Sequence, residues 1–234
     1  MVACVACGSD APARRPVRTK VVATRIASSA PTAPPAPASP VKIKGLTGTL
    51  NKDDVHQTMD AQQPAFDACI QQSRRSVRWV SGAIKFAFKV DAEGKVAEVH
   101  PTHSDIGHHH LETCLIEAVA ATVFPKPAGR AQATFDWGMT VEPVPGRPPE
   151  PLDDKVVARV LRKRRSEVVR SCEIRRRERF LVTAYVARDG RVLSAGAVPM
   201  PPKASEKLEC VLEEIASWRM PKVDHRSKTS FLLR

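Results

Sequence analysis

Two stretches of the chain share one alternation of apolar and polar positions. In the first, Val55, Met59, Phe66 and Cys69 or Ile70 recur at helical spacing, with Asn51 placed to cap the start and Pro64 placed to kink or split the run. "GAIKFAFKV" (82–90) then alternates Ile84, Phe86, Phe88 and Val90 with shorter or polar residues, the mark of a half-buried strand. Across the turn "DAEG", "KVAEVHP" reads as its hairpin partner. "HHLETCLIEAVAATV" returns to helical spacing, and "AQATFDWGMTV" closes as a strand. The second stretch predicts a helix over 156–175, strands over 180–187 and 191–198, a helix over 205–218 and a strand over 227–233. The order α-β-β-α-β, twice, predicts an α+β fold: two tandem domains, each a small antiparallel sheet with two helices on one face.

The match extends to single residues. From Gly94 at the end of the first turn, Cys114 lies 20 residues on and Pro125 another 11; from Gly190, Cys210 lies 20 residues on and Pro221 another 11. Upstream, Cys69 precedes Gly94 by 25 residues and Cys172 precedes Gly190 by 18, so the second copy lacks about a helical turn or a loop there. Such self-similarity marks an internal repeat. Each copy has one cysteine on each of its two helices. Helices on one sheet face bring these together, which predicts disulfides Cys69–Cys114 and Cys172–Cys210. Each closes a loop of roughly 40 residues, worth about 4 kcal/mol in the chain-entropy model. Disulfides persist in oxidising compartments, which points to the cell envelope or exterior. Buried free thiols are the competing reading. Zinc ranks lower, since no Cys/His pairing recurs in both copies.

Composition changes the picture outside the repeats. Residues 1–45 are rich in Ala, Pro, Ser and basic side chains, with seven Lys/Arg against one acid, and read as a disordered tether. Residues 46–142 form the first domain, a Pro-rich hinge covers 143–150, and the second domain runs over 151–234 with twenty Lys/Arg against eleven acids. No apolar run reaches the eighteen residues that would suggest a membrane-spanning helix. At the N-terminus, Cys4-Val5-Ala6-Cys7 resembles the end of a bacterial lipobox, with Cys7 as the acylated residue. Six residues cannot hold the leader such a site requires, so this reading implies a start further upstream. A Cys-x-x-Cys metal or redox role competes with it.

Three further groups carry candidate chemistry. Five of seven histidines fall in "HPTHSDIGHHH" (100–110); His103, His108 and His110, with Asp105, would be the ligands if a metal bound, but a solvated loop entering a helix is the favoured reading. Basic runs occupy Arg162, Lys163, Arg164 and Arg165, and Arg175, Arg176 and Arg177. They read as a solvated face, or as a surface for anionic lipid, cell-wall polymer or an acidic protein. Nucleic acid ranks behind these, for want of a stacking aromatic array or recognition-helix motif. No Gly-rich phosphate loop, nucleophile elbow or HExxH motif is present, so no catalytic residue or cofactor is assigned.

The residues "GAIKFAFKVDAEGKVAEV" and "LETCLIEAVAATVFPKPAG", with "TVFP" (122–125) matched by "WRMP" (218–221), resemble the C-terminal domains of TonB-like proteins. The paired cysteines make them most similar to the AgmX/PglI type of myxobacterial envelope and gliding-motility proteins. The resemblance implies a non-enzymatic binding or scaffold role in the periplasm or at the outer membrane. It also implies capture of a protein or peptide by strand addition at 131–141 and 227–233. A cytoplasmic basic adaptor with reduced thiols is the alternative, and a His-rich metal-binding module a third.

Overall fold

A computed structural model describes residues 43–45, 48–129, 131–146 and 148–234. The lipobox-like cysteines Cys4 and Cys7, and the tether except 43–45, lie outside the described residues.

The chain folds as two α+β repeats. In the first, Asn51 caps α1 (Lys52–Asp60), its side-chain oxygen accepting from the Asp53 amide. Pro64 sits in the first turn of α2 (Gln63–Ser73), where its missing N–H costs nothing, so of the expected kink or split it is the split that forms. Strands β2 (Gly82–Val90) and β3 (Val96–Ser104) form a hairpin, α3 (His109–Ala120) follows, and β4 (Ala133–Val141) returns beside β2. A short strand, β1 (Ile43–Gly45), completes the sheet in the order β1-β4-β2-β3. In the second repeat, α4 (Asp154–Ser171) precedes the hairpin β6 (Arg179–Val186) and β7 (Val192–Met200). A 3-10 turn (Pro202–Lys207) leads into α5 (Leu208–Ala216), and β8 (Ser227–Leu233) lies beside β6. The strand β5 (Glu150–Pro151) joins β8 in parallel, giving the order β5-β8-β6-β7. The outermost strands β1 and β5 are absent from the pattern of apolar positions, because two or three residues are too few to show a period.

Alternation places each core. Ile84, Phe86, Phe88 and Val90 of β2 turn inward beneath Phe66, Leu111, Leu115 and Val119. Phe88 stacks on Phe135 with ring centres 4.8 Å apart, and Phe124 meets both edge-on. In the second core, Phe180, Val182 and Val186 lie under Val168, Val211 and Ile215, and Trp218 stacks on Phe231. Both cores are small, and each is crossed by a disulfide. Cys69 on α2 bonds Cys114 on α3, and Cys172 at the end of α4 bonds Cys210 on α5. The Cα–Cα distances are 5.8 and 5.7 Å. In the first repeat the helix runs a further turn past its cysteine, to Ser73; in the second the cysteine is the cap itself. That turn accounts for much of the unequal spacing to the following glycine.

The glycine turns are wired identically. Gly94 has φ +91° and Gly190 φ +84°, a region that disfavours side chains. The Gly94 carbonyl accepts from the Phe124 amide, and the Gly190 carbonyl from the Met220 amide, both at 2.8 Å. A Cβ at either glycine would overlap the carbonyl oxygen of that same partner residue. The residues before Pro125 and Pro221 therefore clasp the hairpin turns, which explains why the spacing recurs. Gly94→Ala and Gly190→Ala should each cost about 1–3 kcal/mol, from the positive φ and the overlap together. Denaturant unfolding checks this, and a loss too small to resolve would contradict the clasp.

Candidate binding surfaces and the junction between the repeats

Two of the buried ionisable groups, Glu112 and Tyr185, lie where the repeats meet, and the partly buried Lys228 joins them there. The second sheet covers one face with α4 and α5 and turns the other toward the first repeat. Tyr185, the only tyrosine in the chain, crosses that boundary. Its hydroxyl donates to the Ser81 carbonyl and accepts from the Ser81 amide, each at 2.9 Å, and its ring is fully buried within the first core. Burial holds its pKa above the usual phenol value. Lys228 donates to the same carbonyl at 2.8 Å and lies 3.6 Å from Asp105. Ser194 donates to the Gly107 carbonyl, and the Arg226 guanidinium lies 4.2 Å from the centre of the Trp79 ring. The Pro-rich segment 143–150 thus joins two repeats that are already locked together.

Glu112 on α3 is the most deeply buried acid at the junction. Ser104 donates to its Oε1 at 2.5 Å, and its carboxyl fills the space where Gly196 has no side chain. Burial raises its pKa; the Ser104 and Gly107 donors act the other way, Asp105 adds to the rise, and Lys228 opposes it. Burial likewise lowers the pKa of Lys228. Hydrogen-bonded and enclosed by backbone, this cluster joins the two repeats.

The histidines do not form a ligand set. His103, expected in a loop, lies on β3 opposite Lys85, because that strand continues to Ser104. His108 caps α3: its Nδ1 accepts from the Leu111 amide at 3.2 Å. The proton therefore sits on Nε2, which donates to Ser76 Oγ at 2.8 Å, while Ser76 donates to the Ser73 carbonyl. The pair resembles a base and nucleophile, but an imidazole already protonated on that nitrogen cannot take the serine proton. Burial lowers the His108 pKa, with His110 acting in the same direction. Asp105 is engaged by the Ala83 amide at 2.5 Å. Among the described residues no His/Cys/Asp/Glu group is placed to hold a metal ion.

The basic runs separate. Arg164 pairs with Glu167 at 3.0 Å and Arg165 donates to the Arg234 carbonyl, while Arg162 and Lys163 are exposed. The Arg175 amide caps onto Glu178. Arg176 and Arg177 line an open hollow with Arg179, Met200 and Pro201. Reading runs of consecutive charges misses Lys155, Arg159 and Arg170, which share a helix face with Arg162; the i, i+4, i+7 spacing is the signal that finds them.

The expected edge strands β4 and β8 are each partly covered. β1 pairs with Ala133–Phe135 and β5 with Ser227 and Lys228. Among the described residues no strand pairs with the outer edge of 136–141 or 229–233. Ala83 gives its carbonyl to Asp105 on the β3 side, so alternation turns the backbone groups of its β4 partner, Thr140, outward. The Lys228 carbonyl accepts from Leu152 on the β5 side, which by the same alternation turns Ser230 and Leu232 outward.

No family model, curated protein or solved structure matches the chain.

Two measurements test the junction. Tyr185→Phe removes the hydroxyl and strands the Ser81 amide, so it should cost about 1–3 kcal/mol against denaturant; an unchanged midpoint would contradict the contact. Glu112, with its pKa raised on folding, lets the folded state hold a proton that the unfolded state has released. Stability should therefore fall as pH rises above the ordinary carboxylate value of 4.5 toward the raised one. The lowered pKa of His108 acts oppositely, costing stability as pH drops below 6.5. Unfolding of Glu112→Gln across pH isolates the first effect: the fall attributable to Glu112 should vanish, and an unaltered profile would exclude it.

Proposed function

We propose that this chain is a non-enzymatic binding protein of the cell envelope, built from two TonB C-terminal-like domains of the AgmX/PglI type, anchored through a lipid at Cys7. It captures an extended protein segment by strand addition. The observation that carries this reading is at β4 and β8. Each already accepts a short piece of its own chain as an added strand, one antiparallel and one parallel. Beyond those pieces lie outward-facing amides at Thr140 and Leu232, with Leu232 also an exposed apolar side chain. An incoming strand gains main-chain hydrogen bonds there and contacts to alternate side chains. The two disulfides support an oxidising compartment for this encounter. Among the described residues no helix is long and apolar enough to cross a membrane; the proposed attachment is the lipid at Cys7.

Proline at an outward-facing position deletes one donor without breaking the inner ladder. Thr140→Pro and Leu232→Pro should therefore fold with both disulfides intact, yet recover far less of the partner co-purifying with the wild-type chain from envelope extracts. Undiminished recovery by both variants would exclude strand addition.

A further inference from the structure

The outer ridge of α4 carries a row of cations with no carboxylate partner among the described residues, Arg170 alone donating within the helix, to the Ser166 carbonyl. At 100° per residue, Lys155, Arg159, Arg162, Lys163 and Arg170 fall within about 100° of arc, along about 22 Å of helix. All five are exposed. The buried face of the same helix is set by Val157 and Val168, on the opposite side. Among the described residues no carboxylate lies within ion-pair distance of any of the five. The one acid in the middle of the helix, Glu167, lies off the row and is paired with Arg164. Desolvation does not explain these charges, and helix capping explains at most Arg170, in the last turn.

We infer that this ridge is a docking surface for a membrane leaflet bearing anionic lipid headgroups. The five share one exposed side of a single helix, so they can approach a planar surface together. α4 contains no aromatic residue to stack on bases, which weighs against a single-stranded nucleic acid. The disulfides place the chain where membranes, not genomes, are the extended polyanions. α4 also lies on the face of the second sheet away from the first repeat, since Tyr185, Ser194 and Lys228 occupy the other face. Docking through α4 would leave the first repeat, with the outer edge of β4, pointing into the aqueous space. This inference does not rest on strand capture: Thr140→Pro and Leu232→Pro leave the ridge intact.

The test is partitioning of the full, oxidised chain onto vesicles of phosphatidylcholine alone and of phosphatidylcholine doped with phosphatidylglycerol. Binding should require the anionic lipid and weaken as salt is raised. Each cation near an anionic surface raises partitioning about fivefold, so R159S/R162S/K163S should lower it on the order of a hundredfold. R159K/R162K, which keeps the charge, should bind like wild type. R176S/R177S/R179S, which empties the separate hollow, should keep most of the affinity. All substituted side chains are exposed, and circular dichroism with an intact-mass check of both disulfides confirms folding. The proposal is overturned if the ridge variant binds as tightly as wild type, or if the doped vesicles recruit no more protein than phosphatidylcholine. Binding of a duplex oligonucleotide without binding of vesicles would overturn it too.

Discussion

A covalent bond between two helices, made once in each repeat, is the constraint on which this fold rests. Aromatic residues form only 5% of the chain, and each repeat has a single modest core. α4 illustrates the difficulty. It spans 18 residues but buries only Val157 and Val168 completely, and its remaining surface is mostly charged. A helix with so narrow an apolar stripe gains little from packing. The Cys172–Cys210 bond ties its last turn to α5, and Cys69–Cys114 does the same for α2 and α3. Restricting the unfolded chain in this way compensates for a core that a domain of this size struggles to build.

Freed from reliance on core size, the two copies have diverged on the outer faces of their sheets. Aligning the hairpins by Gly94 and Gly190 puts Ala87, Lys89, Glu98 and His100 of the first copy at the positions of Thr183, Tyr185, Ser194 and Gly196 of the second. In the second copy these residues fit against the neighbouring repeat: a small glycine admits Glu112, and a phenol reaches Ser81. In the first copy the same face carries charges, and its Glu98 is exposed. Of two equivalent surfaces, one is a buried contact and the other is polar. The chain therefore works as a paired body with one basic helix turned away from the junction.

What the sequence revealed and what it hid follow from range. Strands β2 and β6, the glycine turns and the cysteine-bearing helices are written in local periodicity and in equal spacings, so they are visible along the chain. Strands β1 and β5 are held by backbone pairing with residues far away, and carry no pattern of their own. The histidine segment was only partly legible: the predicted strand includes His100 and stops at Pro101, yet β3 continues to Ser104 with a register shift, and His103 becomes a strand residue too. The Tyr185–Ser81 contact joins residues 104 apart and depends on how two folded units meet. The cationic row on α4 is written in the helical spacing of Lys155, Arg159, Arg162 and Arg170, and the adjacent charges of 162–165, which wrap the helix, mask it.

Mass spectrometry of unreduced peptides, from protein taken directly out of its native cell with free thiols blocked at lysis, tests the foundation of this account. Linked peptides joining Cys69 to Cys114 and Cys172 to Cys210, with none of the four cysteines alkylated, are the predicted result. Alkylation of all four, or crosslinks between the repeats, would contradict both the staple and the oxidising compartment inferred from it.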